Sequence, residues 1–485
     1  MDRNKWSQLC WLTNAVIVSS LLVVSVVLFP GCGGGSSGSD PTTTISNTTT
    51  SVSTPSVSST STSITSLSST SISSSSTTPS LSTTSTTWGG GNANIDGYVA
   101  DVLTNFGIVG ASITFEGQAA TAGADGLFSF TGLPPGAITV TITASGYRSS
   151  VETVVLSAGG NTLNVSLVPT SLDPNQLSGP AAFVAIPMSL DSIGVVYPLG
   201  MMSPPNHVLP TNHIYLSFQN TQETYNVYFP ASGEITRIYG GVDYKVEVRC
   251  SNSFLYYLGH IQSLEAVYAP YIGNNMIFGV PVFAGQLCGT TGQNNLNVHA
   301  MDLGVIDTQQ HRSFITEANY LSESLNCGAP LDYYSGALRT SLISKVERVG
   351  TSEANGKIDY DQAGKLIGNW FHISLSAQPK EDYSAKEIAF VYYARNATWE
   401  VISIGGEITG EGVGLGLYVI SPEATHFADV NSSSGIVNYV LHDVFNPSIT
   451  AGDLIVRYNA DGTISVEASS NYLTDFSAAA KTYSR

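Results

Sequence analysis

Apolar and polar positions follow three different rhythms along the chain. From Ala15 to Phe29 the run is apolar apart from Ser19, Ser20 and Ser25. From Ser36 to Thr87 there is no period at all, and the stretch is almost entirely Ser and Thr with scattered Ile, Val, Leu and Pro. Beyond that point short apolar runs alternate with polar residues and are broken by Gly, Pro, Asn and Asp. Ala137-Ile138-Thr139-Val140-Thr141-Ile142 alternates most cleanly. A period of two places one face of a strand in a core and the other in solvent. The pattern therefore predicts a mainly β protein, with one short helix over Leu338–Val346.

Turn chemistry divides the β-rich part into modules. Residues 94–169 carry seven or so short runs separated by Ala124-Asp125-Gly126 and Leu133-Pro134-Pro135-Gly136, where Pro sets φ and Gly supplies its positive value. That spacing predicts a small β-sandwich, with Asp125 a turn residue. Residues 180–310 form a second β module. Its strands are expected at His213–Phe218, Tyr244–Arg249, Phe254–Leu258, Val280–Leu287 and Asn297–Val305, with a hairpin joining Tyr225–Phe229 to Glu234–Tyr239 about Ala231-Ser232-Gly233. Residues 330–485 read as a meander closing on Leu454–Tyr458 and Ile464–Glu467 across Asn459-Ala460-Asp461-Gly462. A small barrel or sandwich is the expected shape.

Composition narrows the function classes. At 485 residues two to four domains are expected. Charged residues make up 11% and the formal net charge is −18. Nucleic acid is not an expected partner, since its phosphates need clustered Lys and Arg. Five cysteines occur. Cys10 and Cys32 lie in the leader, so Cys250, Cys288 and Cys327 form one disulfide at most, with a pairing the sequence leaves open.

Arg3 and Lys5, the apolar run and Phe29-Pro30-Gly31-Cys32 read as an export signal over residues 1–32. The Gly-Cys step resembles a bacterial lipoprotein signal, which implies lipidation at Cys32 and a membrane held through that lipid. An uncleaved N-terminal helix is the alternative anchor. Either way the remainder is expected outside the inner membrane, in the cell envelope. Residues 33–93 are expected to be a disordered stalk, because Ser and Thr bury too little apolar surface to offset the entropy of ordering.

Two further resemblances bear on function. Ala-Asp-Gly-x-Phe-x-Phe, Leu-Pro-Pro-Gly and Ala-Ser-Gly-Tyr in residues 94–169 resemble carboxypeptidase regulatory-like domains. This implies a transthyretin-like sandwich without catalytic residues of its own. In residues 180–310 the order of elements resembles lysostaphin-type (LytM-like) zinc peptidases, which cut peptidoglycan peptides. Phe229-Pro230-Ala231-Ser232-Gly233-Glu234-Ile235 matches the family's hairpin, and Ala284-Gly285-Gln286-Leu287-Cys288-Gly289 its later turn. The resemblance implies metal ligands at His207, or alternatively His213, with Asn212 where the family has Asp. His260 takes the place of the strand-end catalytic histidine. Ala300 and Asp302 occupy the two positions of the family's His-x-His strand, with His299 one residue away. Asp302 is then the replacement metal ligand, and His299 a second catalytic candidate.

A retained scaffold with altered ligand positions implies a non-hydrolytic domain that binds cell-wall or surface glycan or peptide, with no cofactor. An intact site would instead hold zinc and cut peptidoglycan. The third reading is a spacer or adhesin scaffold with no site.

Overall fold

The computed structural model describes residues 86–87, 91–273, 280–292, 299–381, 383–408 and 412–485. The export leader, its Cys32 and the stalk up to Ser85 lie outside the described residues. The end of the stretch read as stalk is structured. Thr86–Thr87 pair in parallel with Phe130 and Thr131, and Ala93 opens the Ala93–Asp101 strand. Among the described residues no helix is long and apolar enough to cross a membrane.

The first module is the expected sandwich of two four-stranded sheets. One sheet is built on Leu127–Leu133, Ala93–Asp101 and Gly159–Leu167, the other on Ser112–Phe115, Gln118–Thr121, Gly136–Thr143 and Ser150–Leu156. The alternation over Gly136–Thr143 puts Ile138, Val140 and Ile142 into the core, where Phe115, Phe128 and Phe130 pack edge to face. Gly126 takes φ +82° in the turn, as its place after the exposed Asp125 requires. Arg148 reaches out of this module to Glu234 of the next at 2.8 Å, and Glu234 is only 3% exposed.

The central module is a larger, mostly antiparallel sheet. Its path runs Pro281–Val282, Gly233–Tyr239, Tyr244–Arg249, Phe254–Ile261, Ala300–Asp307, His213–Phe218 and Ile193–Tyr197. The hairpin about Ala231-Ser232-Gly233 does not form. Thr224–Tyr228 pairs instead with Leu287–Gly292 in a separate three-stranded sheet. Pro230 has no N–H to give a ladder, and its carbonyl accepts from Val184 and Ala185. The expected Val280–Leu287 strand is likewise interrupted, by a turn at Gly285 with φ +79°. All three cysteines of this module are free and buried, so no disulfide links them.

The C-terminal meander closes into an eight-stranded barrel. It begins at Gly368–His372 and ends at Lys481–Ser484, joined by Phe371 opposite Ser484 and His372 opposite Tyr483. The Thr450–Tyr458 and Ile464–Ser469 strands pair across the turn as expected. Trp370 is fully buried, its indole N–H donating to the Leu366 carbonyl and the Arg485 guanidinium lying 4.1 Å over its ring. The short helix falls at Gly336–Ile343, and the chain after it bridges to both flanks. Val346 pairs with Val196 of the central sheet, and Val349 with Asn396 of the barrel. Buried apolar side chains of central sheet and barrel form one continuous cluster, from Phe183 to Tyr483.

Because that core is shared, Trp370→Ala should cost about 3–5 kcal/mol and destabilise both modules together. Hydrogen exchange should accelerate in the His213–Phe218 and Thr450–Tyr458 strands alike. A central sheet that keeps its protection while the barrel opens would contradict a common core.

Candidate functional site

Three neighbouring strands place the site by their register. On one face of the sheet His213 lies opposite Gly304, which lies opposite Tyr257. One row along, Tyr215 lies opposite Asp302, which lies opposite Gly259. Residues two apart on a strand share a face, so these six side-chain positions form a single patch. Its two glycines leave the room. A Cβ on Gly304 would come within 2.0 Å of the Tyr257 ring, and one on Gly259 within 2.9 Å of Asp302 Oδ2.

His260 follows Gly259 in a bulge. Tyr244 pairs with Ile261 and Val246 with Leu258, so Gly259 and His260 together oppose Lys245. His260 takes φ +59°, in the left-handed region that non-glycine residues seldom adopt. Bulges of this kind re-aim side chains. Here the imidazole is held between two carboxylates, Nδ1 2.9 Å from Asp243 Oδ2 and Nε2 3.4 Å from Asp302 Oδ2.

Above the patch lies a cavity of about 300 Å³. The loop Asn206–His213 forms one wall, Tyr239, Lys245, Tyr257 and Asp302 the floor, and Glu323, Glu381 and Ser384 the far side. Lys245 Nζ lies 3.7 Å over the Tyr257 ring and 2.9 Å from Glu323 Oε2.

Burial sets the electrostatics. It pushes the Asp302 carboxyl up to about 6, against the pull of the His260 charge. It also opposes charge on His260, but Asp302 and the Asp243 hydrogen bond outweigh it and raise that imidazole to about 9. His207 is depressed to about 4 by burial and by the charge on His260. Burial holds His213 well below its ordinary range, aided by the charges of His207, Lys245 and His260. The site thus keeps two neutral histidines, one imidazolium and a shared carboxylate near neutral pH.

Of the residues singled out in the sequence, His207, Asn212, His213 and Asp302 all line this cavity. His207 and His213 are 5.7 Å apart between ring centres, and His213 Nε2 is 3.6 Å from Asp302 Oδ2. His260 reaches the cavity only through Asp302. His299 is not brought there: its ring is exposed just before the strand, and its carbonyl accepts from Phe218 N–H. Asn212 faces inward rather than toward a ligand, with Oδ1 2.9 Å from the Tyr257 hydroxyl and Nδ2 3.0 Å from Ser324 Oγ. Asp243, Lys245, Tyr257, Glu323 and Glu381 carry no motif, and their positions follow only from the tertiary fold.

Two histidines and a carboxylate are donors that zinc accepts. Asp302 Oδ1 and His213 Nε2 are both buried without a hydrogen-bond partner, and a cation would satisfy them. The arrangement fits less well. Asp302 Oδ2 already faces the His260 imidazolium, and no three His, Cys, Asp or Glu side chains converge as a metal site among the described residues. The side chains as placed do not assemble a zinc centre.

Residues 94–168 match the carboxypeptidase regulatory-like domain. No curated protein matches the chain. Solved structures with partial similarity include a type II cohesin–X-dockerin complex from Acetivibrio cellulolyticus, at 16% identity over 18% of this chain and 65% of that one, with TM-score 0.15. A zinc-containing peptidase from Vibrio cholerae is 12% identical over 36% of this chain and 48% of that one, with TM-score 0.20. The M23 metalloprotease pseudoalterin, from the deep sea, is 15% identical over 32% and 88%, with TM-score 0.19. The chain thus spans less than two thirds of the length of the first two.

The charged His260 makes a pH prediction. Its folded value of about 9 exceeds the ordinary 6.5, so the stability it contributes is complete below pH 6.5 and is lost as pH rises through about 9. His260→Gln should therefore lower the melting temperature most near pH 6.5, where Asp302 is still ionised, with the gap closing toward pH 9 and above. Thermal melts across pH check this, and a gap that widens as pH rises from 6.5 would contradict it.

Proposed function

We propose that this is an exported cell-envelope protein that binds cell-wall or surface peptide or glycan in the central cavity without cutting it. The observation that carries the reading is the pair of buried, unpartnered atoms, Asp302 Oδ1 and His213 Nε2, at the floor of a polar cavity. A buried polar atom without a partner costs free energy until a ligand or water satisfies it. Amide N–H, ammonium and hydroxyl groups of wall peptides and glycans supply the donors such acceptors require. Absence of cutting is supported by the strand register. Two residues before Asp302 on the same face stands Ala300, and His299 is exposed away from the cavity.

The leader and Cys32 support export with a lipid anchor, and the Ser/Thr stretch supports a tether from that anchor. The regulatory-like sandwich and the barrel flank the binding module as β-rich supports.

Retention on purified peptidoglycan tests the reading. The full chain should be retained, and His213→Ala or Asp302→Asn should weaken retention at least about tenfold, which is roughly 1.4 kcal/mol. Competition with soluble wall peptides against glycan strands then separates the two ligand classes. No retention of the wild-type chain sinks the proposal in favour of a scaffold without a site.

The same unpartnered pair leaves a second reading, in which His207, His213 and Asp302 would have to move together from their places here before they could hold zinc, which would supply a Lewis acid for peptide hydrolysis. Elemental analysis should then find about one zinc per chain, lost in a His207→Ala, Asp302→Ala double variant. Zinc-free protein that still binds peptidoglycan would leave the binding reading standing alone.

A further inference from the structure

The far wall of the cavity comes from the barrel. Between its first two strands residues 378–381 lie over residues 319–324. Lys380 and Glu381 backbone N–H groups donate to the Asn319 carbonyl, and Gln378 Nε2 donates to Asn319 Oδ1. The Glu381 carboxylate accepts the Leu321 N–H on Oε2 at 2.8 Å and the Ser324 hydroxyl on Oε1 at 2.5 Å.

The direction of each bond in the chain that starts there is forced. A carboxylate can only accept, so Ser324 gives its single hydroxyl proton to Glu381. Its oxygen must then accept from Asn212, which places Asn212 Nδ2 on that side at 3.0 Å. Asn212 Oδ1 therefore faces the other way, toward the Tyr257 hydroxyl at 2.9 Å and His213 Nδ1 at 3.1 Å, and the hydroxyl, its one proton given to that oxygen, meets Nδ1 at 3.4 Å only as an acceptor. An amide oxygen accepts, so His213 Nδ1 carries the proton. On an imidazole with one proton the other nitrogen is then a bare lone pair, which agrees with a buried Nε2 that gives no hydrogen bond to any neighbour. That nitrogen, Nε2, is the unpartnered atom facing Asp302.

We infer that Glu381 is a positioning residue: through Ser324 and Asn212 it fixes His213 as the Nδ1–H tautomer and holds Nε2 open as an acceptor toward the cavity. The inference rests on the cavity being the ligand site, and it names what that ligand must bring. Two acceptors, His213 Nε2 and Asp302 Oδ1, select a group with donors or positive charge. Without the Glu381 carboxylate the relay is free to reverse. Ser324 would donate to Asn212, the amide would turn, and His213 would carry its proton on Nε2 and donate it to Asp302, closing the acceptor pair.

Nitrogen-15 spectra of the ligand-free full chain, labelled at histidine and assigned with His213→Gln, read the tautomer directly. The wild type should show a protonated Nδ1 and a bare Nε2 on His213. Glu381→Ala should move the proton to Nε2, and Ser324→Ala should abolish the single-tautomer signature. Glu423→Gln, exposed on the barrel and outside both the relay and the cavity, should leave the wild-type pattern. A wild type protonated on Nε2, or Glu381→Ala and Ser324→Ala folded proteins that keep the wild-type pattern, would overturn the inference. Because no ligand is present, this outcome is independent of retention on peptidoglycan.

Discussion

Burying the Asp302 carboxylate is the constraint around which the central module is arranged. An ion taken out of water costs several kcal/mol unless it is met by charge and donors. The sheet cannot meet it through its ladder, because backbone N–H groups there are already paired with strands. It is met instead by a side chain that has to be bent into place. The bulge at Gly259 and His260 accomplishes this. Gly259 clears the space beside Asp302, and the left-handed turn at His260 swings an imidazolium into it. Asp243 then holds the second nitrogen at 2.9 Å, so the cation is clamped between two anions rather than left to drift toward solvent. The strain at His260 and the charge on Asp302 compensate each other, and neither would persist without its partner.

One carboxylate oxygen is satisfied in this way and the other is not. The same asymmetry recurs at His213, whose Nδ1 is engaged by Asn212 while Nε2 is bare. Two half-satisfied groups facing one cavity differ from two randomly unsatisfied ones. Each has its orientation fixed by a partner on the protein side, which leaves its free valence aimed at the ligand side. This is how buried polar groups are prepared for recognition: the shell behind them is complete, so no reorganisation is needed when a ligand arrives. The barrel enters this logic through Glu381. That proposed role is compatible with the continuous core that barrel and central sheet share. A relay whose acceptor sits on one module and whose histidine sits on the other works only if the two do not slide.

How much of this could be read in the residues depended on range. The sandwich was legible because its turns, Ala124-Asp125-Gly126 and Leu133-Pro134-Pro135-Gly136, and the alternation of Ala137–Ile142 are local signals. The barrel's Leu454–Tyr458 and Ile464–Glu467 pair was legible for the same reason. The hairpin about Ala231-Ser232-Gly233 was misread because its turn signal is real but its neighbours are claimed elsewhere. Residues 183–185 capture the Pro230 carbonyl, and Leu287–Gly292 takes Thr224–Tyr228. Order along the chain points to His207, Asn212, His213, His260 and Asp302, which lie together, and equally to His299, which lies outside the cavity. Asp243, Lys245 and Glu381 were invisible, since nothing in Gly240-Gly241-Val242-Asp243 or Lys380-Glu381 announces His260, Glu323 or Ser324 as partners 17, 78 and 57 residues away.

The placing of charge within the site has a consequence of its own. The end of the loop carries the neutral Asn212, while Asp302, a buried carboxylate, stands in the middle of the sheet. A carboxylate at a loop end is free to adjust to a ligand. One in the sheet interior is not, and it draws His260 into an ion pair that a ligand must either share or break. His260 can hold Asp302 in place or move a proton for a reaction, and with Asp243 gripping its other nitrogen it is committed to the first.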